Sequence, residues 1–124
     1  MTLEATEAEC AIGRTAPRVS LASMEAKIVA KHVFIASDAI EALNQPVHDS
    51  FKLLTVCLLV MQNGFVLIGK SAPASPANFD KELGSRLAYE DAIRQLWPME
   101  GYLLGEQLLA KASQVDPWRV LCVP

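Results

Sequence analysis

Residues 53–71 read LLTVCLLVMQNGFVLIGKS, and the fold turns on how the second half of that stretch is understood. Gly64 to Ser71 match G-x-x-x-x-G-K-[ST], the pattern of a phosphate-cradling loop. Such a cradle needs free backbone N–H groups between its glycines and a helix starting at the Lys-Ser pair. Here the intervening residues are Phe65, Val66, Leu67 and Ile68, strand formers whose N–H groups a sheet would claim. Pro73 and Pro76 also prevent a helix from continuing out of Lys70. The match is accidental, and the stretch reads as a hairpin. Asn63-Gly64 predicts a two-residue type I′ turn, with Gln62 opposite Phe65 and Leu58 opposite Gly69. Gly64 then serves the turn and Gly69 a close approach within the sheet.

Working outward, the first strand is apolar on both alternating faces, so both need cover. Upstream, Ser20 is placed to cap a helix through Leu21, Met24, Ile28 and Val29, ending near His32 or Val33. Ser37-Asp38 opens a short second helix, AIEAL, stopped by Asn44 and Pro46. Downstream of the linker APASPAN, Ser75-Pro76 has the signature of a helix start. Gly84, Ala88, Ala92 and Leu96 recur every four residues along one stripe of that helix. Pro98 should kink or end it at Trp97, with helical spacing resuming from Met99 through Leu108. The tail VDPWRVLCV is read as a short strand.

The expected architecture is α+β: an antiparallel β-hairpin packed with an N-terminal helix and a long kinked C-terminal helical pair. Residues 1–17 are read as a flexible arm and 18–124 as a single compact domain, since 124 residues suffice for one domain only. The apolar share of 52% is that of a packed domain. A net charge of −3 with scattered Lys and Arg disfavours nucleic acid as a partner. No run is long enough to span a bilayer and no leader is evident at the start, so a cytoplasmic protein is expected. Three widely spaced cysteines suggest neither a disulfide framework nor a zinc site, and Cys57 reads as a small buried hydrophobe.

Chemistry is sparse. His32 and His48 have no partner at ligand spacing, Cys57 has no activating base in view, and the carboxylates at Asp80, Glu82, Glu90, Asp91 and Glu100 suit a solvated helix face. No enzyme, cofactor or metal is expected. The place to look for a ligand is where the second strand delivers Lys70 and Ser71 beside the next helix start. The Ser75 hydroxyl, Arg86, Tyr89 and Arg94 would complete an anion site there.

In order along the chain stand Cys57, Asn63, Gly64, Phe65, Gly69, Phe79, Asp80, Gly84, Ala88, Ala92, Trp97, Gly101 and Tyr102. This combination, between about Pro17 and Leu109, resembles the small bacteriophage and prophage proteins named after gene product 49 of a coliphage. The chain departs from that pattern in a longer connection before the strand, Phe34 to Lys52, and in its C-terminal extension. The resemblance implies a protein acting inside an infected or lysogenic bacterium and carries over no activity or cofactor. The expectation is a non-enzymatic accessory protein that neutralises a host component, such as a defence factor or a nucleotide signal. A nucleic-acid-binding regulator or recombination accessory, or an enzyme on phosphorylated substrates, are the alternatives. Partners would be a host protein or a small phosphorylated ligand. A homo-oligomer is also expected, through sheet extension or the Gly84/Ala88/Ala92 stripe, because a lone two-stranded sheet is marginal.

Overall fold

The computed structural model describes residues 2–11 and 17–115. The elements are α1 (Leu3–Ala11), α2 (Leu21–Glu25), β1 (Ile28–Ile35), α3 (Ala36–Ala42), β2 (Thr55–Met61), β3 (Val66–Ser71) and α4 (Lys81–Val115). The strands form one antiparallel sheet in the order β1-β2-β3, so the α+β class holds.

The hairpin is three-stranded because the expected N-terminal helix stops early. Ser20 caps α2 as anticipated, in a capping box with Ser23, but the helix ends at Glu25. Ile28 to Ile35 extend instead as β1, pairing Lys31 with Leu59 and Val33 with Cys57. Ile28, Val29, Val33 and Ile35 are β-branched and fit a pleated surface better than a helix. Between Ile28 and Ala30 the register slips, leaving Val29 as a bulged, exposed residue.

The β2-β3 turn also differs from expectation. Gly64 N–H donates to the Met61 carbonyl and Met61 N–H to the Phe65 carbonyl, both at 2.9 Å. Gly64 has φ +86°, whereas Asn63 is not left-handed; its side chain accepts the Phe65 N–H at 3.0 Å. This is a three-residue loop closed by a glycine bulge, the alternative to a two-residue turn. The longer loop moves the register by one, so that Cys57, not Leu58, faces Gly69.

One face of the sheet carries the core. Thr55, Cys57, Leu59 and Met61 alternate inward on β2, and Ala88, Ala92, Ile93 and Leu96 of α4 cover them together with Leu21 and Met24 of α2. Gly69 lets α4 come close: a Cβ there would lie 2.0 Å from the Ala88 carbonyl oxygen and 2.7 Å from the Ala92 nitrogen. The expected close approach is thus to the helix backbone and not within the sheet. Cover on both faces is not what is found, for α2 and α4 share the Cys57 face, while Val66 and Ile68 on the other remain exposed.

Two further expectations change. Leu3–Ala11, within the stretch read as an arm, form α1, with Leu3 buried in the core and Glu7 paired to Arg18 at 2.8 Å. The C-terminal helical pair is a single helix of 35 residues that runs through Pro98. Pro98 lies on an exposed part of the helix, where a proline can be carried without breaking it. The expected C-terminal strand lies almost wholly outside the described residues; its first residue, Val115, ends α4.

Candidate functional site

Helix spacing decides which of the sequence-indicated residues meet. Lys70 lies on the free edge of β3, where its backbone N–H donates to Asp91 Oδ2 at 3.0 Å. Its side chain alternates away from the α4 face on which Gly69 sits. Ser71 pairs with Thr55 and lies near the start of α4. The Ser75 hydroxyl accepts the Ala77 N–H and caps a short 3₁₀ turn, Pro76–Asn78, not the long helix. That helix starts at Lys81, and Asp80 Oδ1 accepts the N–H groups of Glu82 (3.0 Å) and Leu83 (3.2 Å). A carboxylate therefore occupies the place where an anion was expected.

Tyr89 is two residues from Asp91, about 200° around the helix, and faces the β1 flank. Its hydroxyl donates to Glu25 Oε2 at 2.7 Å, and Lys31 Nζ stands 4.2 Å from its ring centroid. Burial, then the hydrogen bond to Glu25 and the Glu25 charge, push the phenol well above its ordinary range. Arg86 and Arg94 are exposed on α4. Tyr89 thus lies on the flank away from the β3 edge, and the side chains of Lys70 and Ser71 alternate to opposite faces of the sheet, so these three do not converge. Cys57 is fully buried, and burial raises its thiol above the usual value despite Lys31, so at neutral pH it is a protonated core residue. Among the described residues no group of three or more His, Cys, Asp or Glu could hold a metal.

Two concave places lie at opposite ends of β2. At its N-terminal end a recess of about 110 Å³ is lined by Thr55, Ser71, Asn78, Phe79, Asp80 and Gly84, among others. Thr55 is 1% exposed, and its Oγ1 has no hydrogen-bond partner among the described residues. Gly84 is what leaves that oxygen room, since a Cβ there would lie 2.9 Å from it. The only sequence signal for this recess is Thr55 interrupting an apolar run.

At the other end, a half-open groove of about 390 Å³ runs between the hairpin turn and α4, lined by Met61, Phe65, Leu96, Met99 and Leu103. Lys27 and Glu100, bonded Nζ to Oε2 at 2.6 Å, form its polar wall. The Gln62 N–H, bonded to the Lys27 carbonyl at 2.9 Å, ties the turn to the start of β1. Sequence reading missed it because Phe65 and Met99 meet only when α4 continues past Pro98.

A model of the phage protein (N4 Gp49/phage Sf6 gene 66) family matches residues 19–108. No curated protein and no solved structure matches the chain.

Proposed function

Since the chain belongs to the phage protein (N4 Gp49/phage Sf6 gene 66) family, we propose that it is a phage accessory protein acting by binding, not by catalysis. In this reading it neutralises a host component, a defence factor or a nucleotide signal used by one. The observation that carries the reading is the groove at the hairpin turn. Phe65, Met99 and Leu103 leave 49%, 47% and 42% of their surface exposed around one concavity with a charged wall. Aromatic and methionine side chains grouped in this way suit recognition of a partner surface.

The test is functional. Expression of the chain in bacteria carrying a defence system should restore plating of a phage which that system restricts. Phe65→Lys and Met99→Lys, both at exposed positions, should abolish the rescue while leaving the fold intact by circular dichroism. Rescue that survives both substitutions would remove the groove from the account. Calorimetry against cyclic and linear nucleotides, with Lys70→Ala and Arg86→Ala as controls, separates the signal-binding version; silence there leaves a protein partner.

The same reading includes self-association. Of the expected routes, the Gly84/Ala88/Ala92 stripe is engaged against β2 and β3 of its own chain, and the β3 edge is bonded to α4 side chains. The outer sheet face, where Val66 and Ile68 are 51% and 59% exposed, supports a homo-oligomer instead. A monomer mass at micromolar concentration by light scattering would exclude it.

A further inference from the structure

The recess at the start of α4 belongs to neither the groove nor the outer sheet face, and it contains an unexplained atom. Thr55 Oγ1 is buried without a partner, an arrangement that costs free energy unless something else supplies the hydrogen bond. Gly84 preserves the space beside it, although glycine in the first turns of a helix is less favourable than alanine. The polar groups around that space are hydroxyls at Thr55 and Ser71, an amide at Asn78 and a carboxylate at Asp80. Among the described residues no Lys, Arg or His lines it. Asp80 Oδ1 is engaged with two N–H groups of α4, and its charge remains. Phe79, Leu83 and Leu87 supply apolar wall. An acceptor-rich, net-negative recess with apolar sides, too small for a drug-sized molecule, matches a short alkyl chain ending in a cation.

We propose that this recess binds a primary alkylammonium group, its nitrogen donating to Thr55 Oγ1 and held by the charge of Asp80, its methylenes against Phe79 and Leu83. Thr55 supplies the deep acceptor and Asp80 the counter-charge at the mouth. Gly84 is a positioning residue that keeps the floor open. The chemistry is shared by two sources, a free diamine and a lysine side chain of another protein. The site lies about six residues along β2 from the groove, roughly 20 Å at strand rise, so its failure would leave the proposed function untouched.

The test is titration of the ¹⁵N-labelled full chain with n-butylammonium chloride, with n-butanol as the neutral counterpart. The amides of Thr55, Leu83 and Gly84 should shift saturably with the ammonium, and butanol should bind at least roughly tenfold more weakly. Asp80→Asn keeps a residue able to cap the helix and should weaken binding by a similar factor. Thr55→Val should abolish the shifts with no loss of thermal stability in the free protein, because it removes an unpaired buried hydroxyl. Putrescine and N-acetyl-lysine methylamide then distinguish the sources, and tighter binding of either supports the site. The proposal is overturned if no saturable shift appears, if butanol binds equally well, or if both variants bind like the parent, which would leave the recess holding water only.

Discussion

Asp91 on α4 accepts the backbone N–H of Lys70 on the free edge of β3, and one turn later Gln95 donates to the Ile68 carbonyl at 2.9 Å. The Lys70 N–H and the Ile68 carbonyl would otherwise be offered to any passing strand, so the helix that covers the sheet also closes its edge. The two side chains are themselves linked, Gln95 Nε2 to Asp91 Oδ2 at 3.3 Å, which keeps both aimed at the strand.

Replacing both with alanine should therefore do two things. Each lost hydrogen bond should lower unfolding free energy by about 1 kcal/mol in denaturant titrations. The opened edge should also produce concentration-dependent association, visible by light scattering at concentrations where the parent scatters less. Loss of stability without new association would mean that the edge is guarded by something other than these two residues.

The same substitution should have opposite signs at different glycines. Gly69→Ala forces a methyl onto the backbone of Ala88 and Ala92, which cannot retreat as a side chain would, and should cost at least about 3 kcal/mol. Gly101→Ala and Gly105→Ala meet nothing within 4 Å and sit inside α4, so each should stabilise by roughly 0.5–1 kcal/mol. Thermal melts of the three variants check both signs.

Tyr89 sets an alkaline limit. Its folded-state pKa is raised, by burial first and then by Glu25, so the fold favours the protonated phenol. That contribution is complete below the unfolded value of about 10 and declines as pH rises above it. Stability measured between about pH 9 and pH 11 should fall more steeply for the parent than for Tyr89→Phe. An ultraviolet titration should show one phenol resisting ionisation, and that resistance should vanish in the variant.

Glu7 works in the opposite direction. Its hydrogen bond to Arg18, aided by the Leu21 N–H and the Arg18 charge, lowers its folded pKa despite partial desolvation. The stabilisation is therefore present above the unfolded value of about 4.3 and is lost as pH falls through the folded one. Hydrogen-exchange protection at the amides of α1 and at Leu21, taken relative to the intrinsic rate at each pH, should fall on acidification. In Glu7→Gln the protection should be low already at neutral pH and less dependent on acid.

Where chemistry is local, the sequence was sufficient. Ser20 announced its cap, Asn44 and Pro46 the end of α3, Cys57 its burial, and the residues between Gly64 and Gly69 a strand in place of a phosphate loop. Ile28 and Val29 misled because their spacing from Leu21 and Met24 satisfies a helix equally well. What decides them is the second open edge of β2, a demand made from thirty residues away. Pro98 misled because the cost of a proline inside a helix depends on its surroundings, and here it is exposed. The anion reading rested on Ser75 starting the long helix, whereas Asp80 does so and brings its own charge. The recess at Thr55 was out of reach, since it exists only where Gly84 passes over β2.

Gly69 and the bonded edge of β3 also set an order of events during synthesis. Strand β3 cannot be completed by β2 alone, because its outer hydrogen bonds and the surface facing Gly69 come from residues 88–95, which leave the ribosome later. A nascent chain ending soon after Ser71 presents an unguarded hairpin. Translation at about 5–20 residues per second leaves that hairpin exposed for a second or more before the guarding helix arrives. Slower elongation through α4 should therefore lengthen the time in which that edge can pair with another chain.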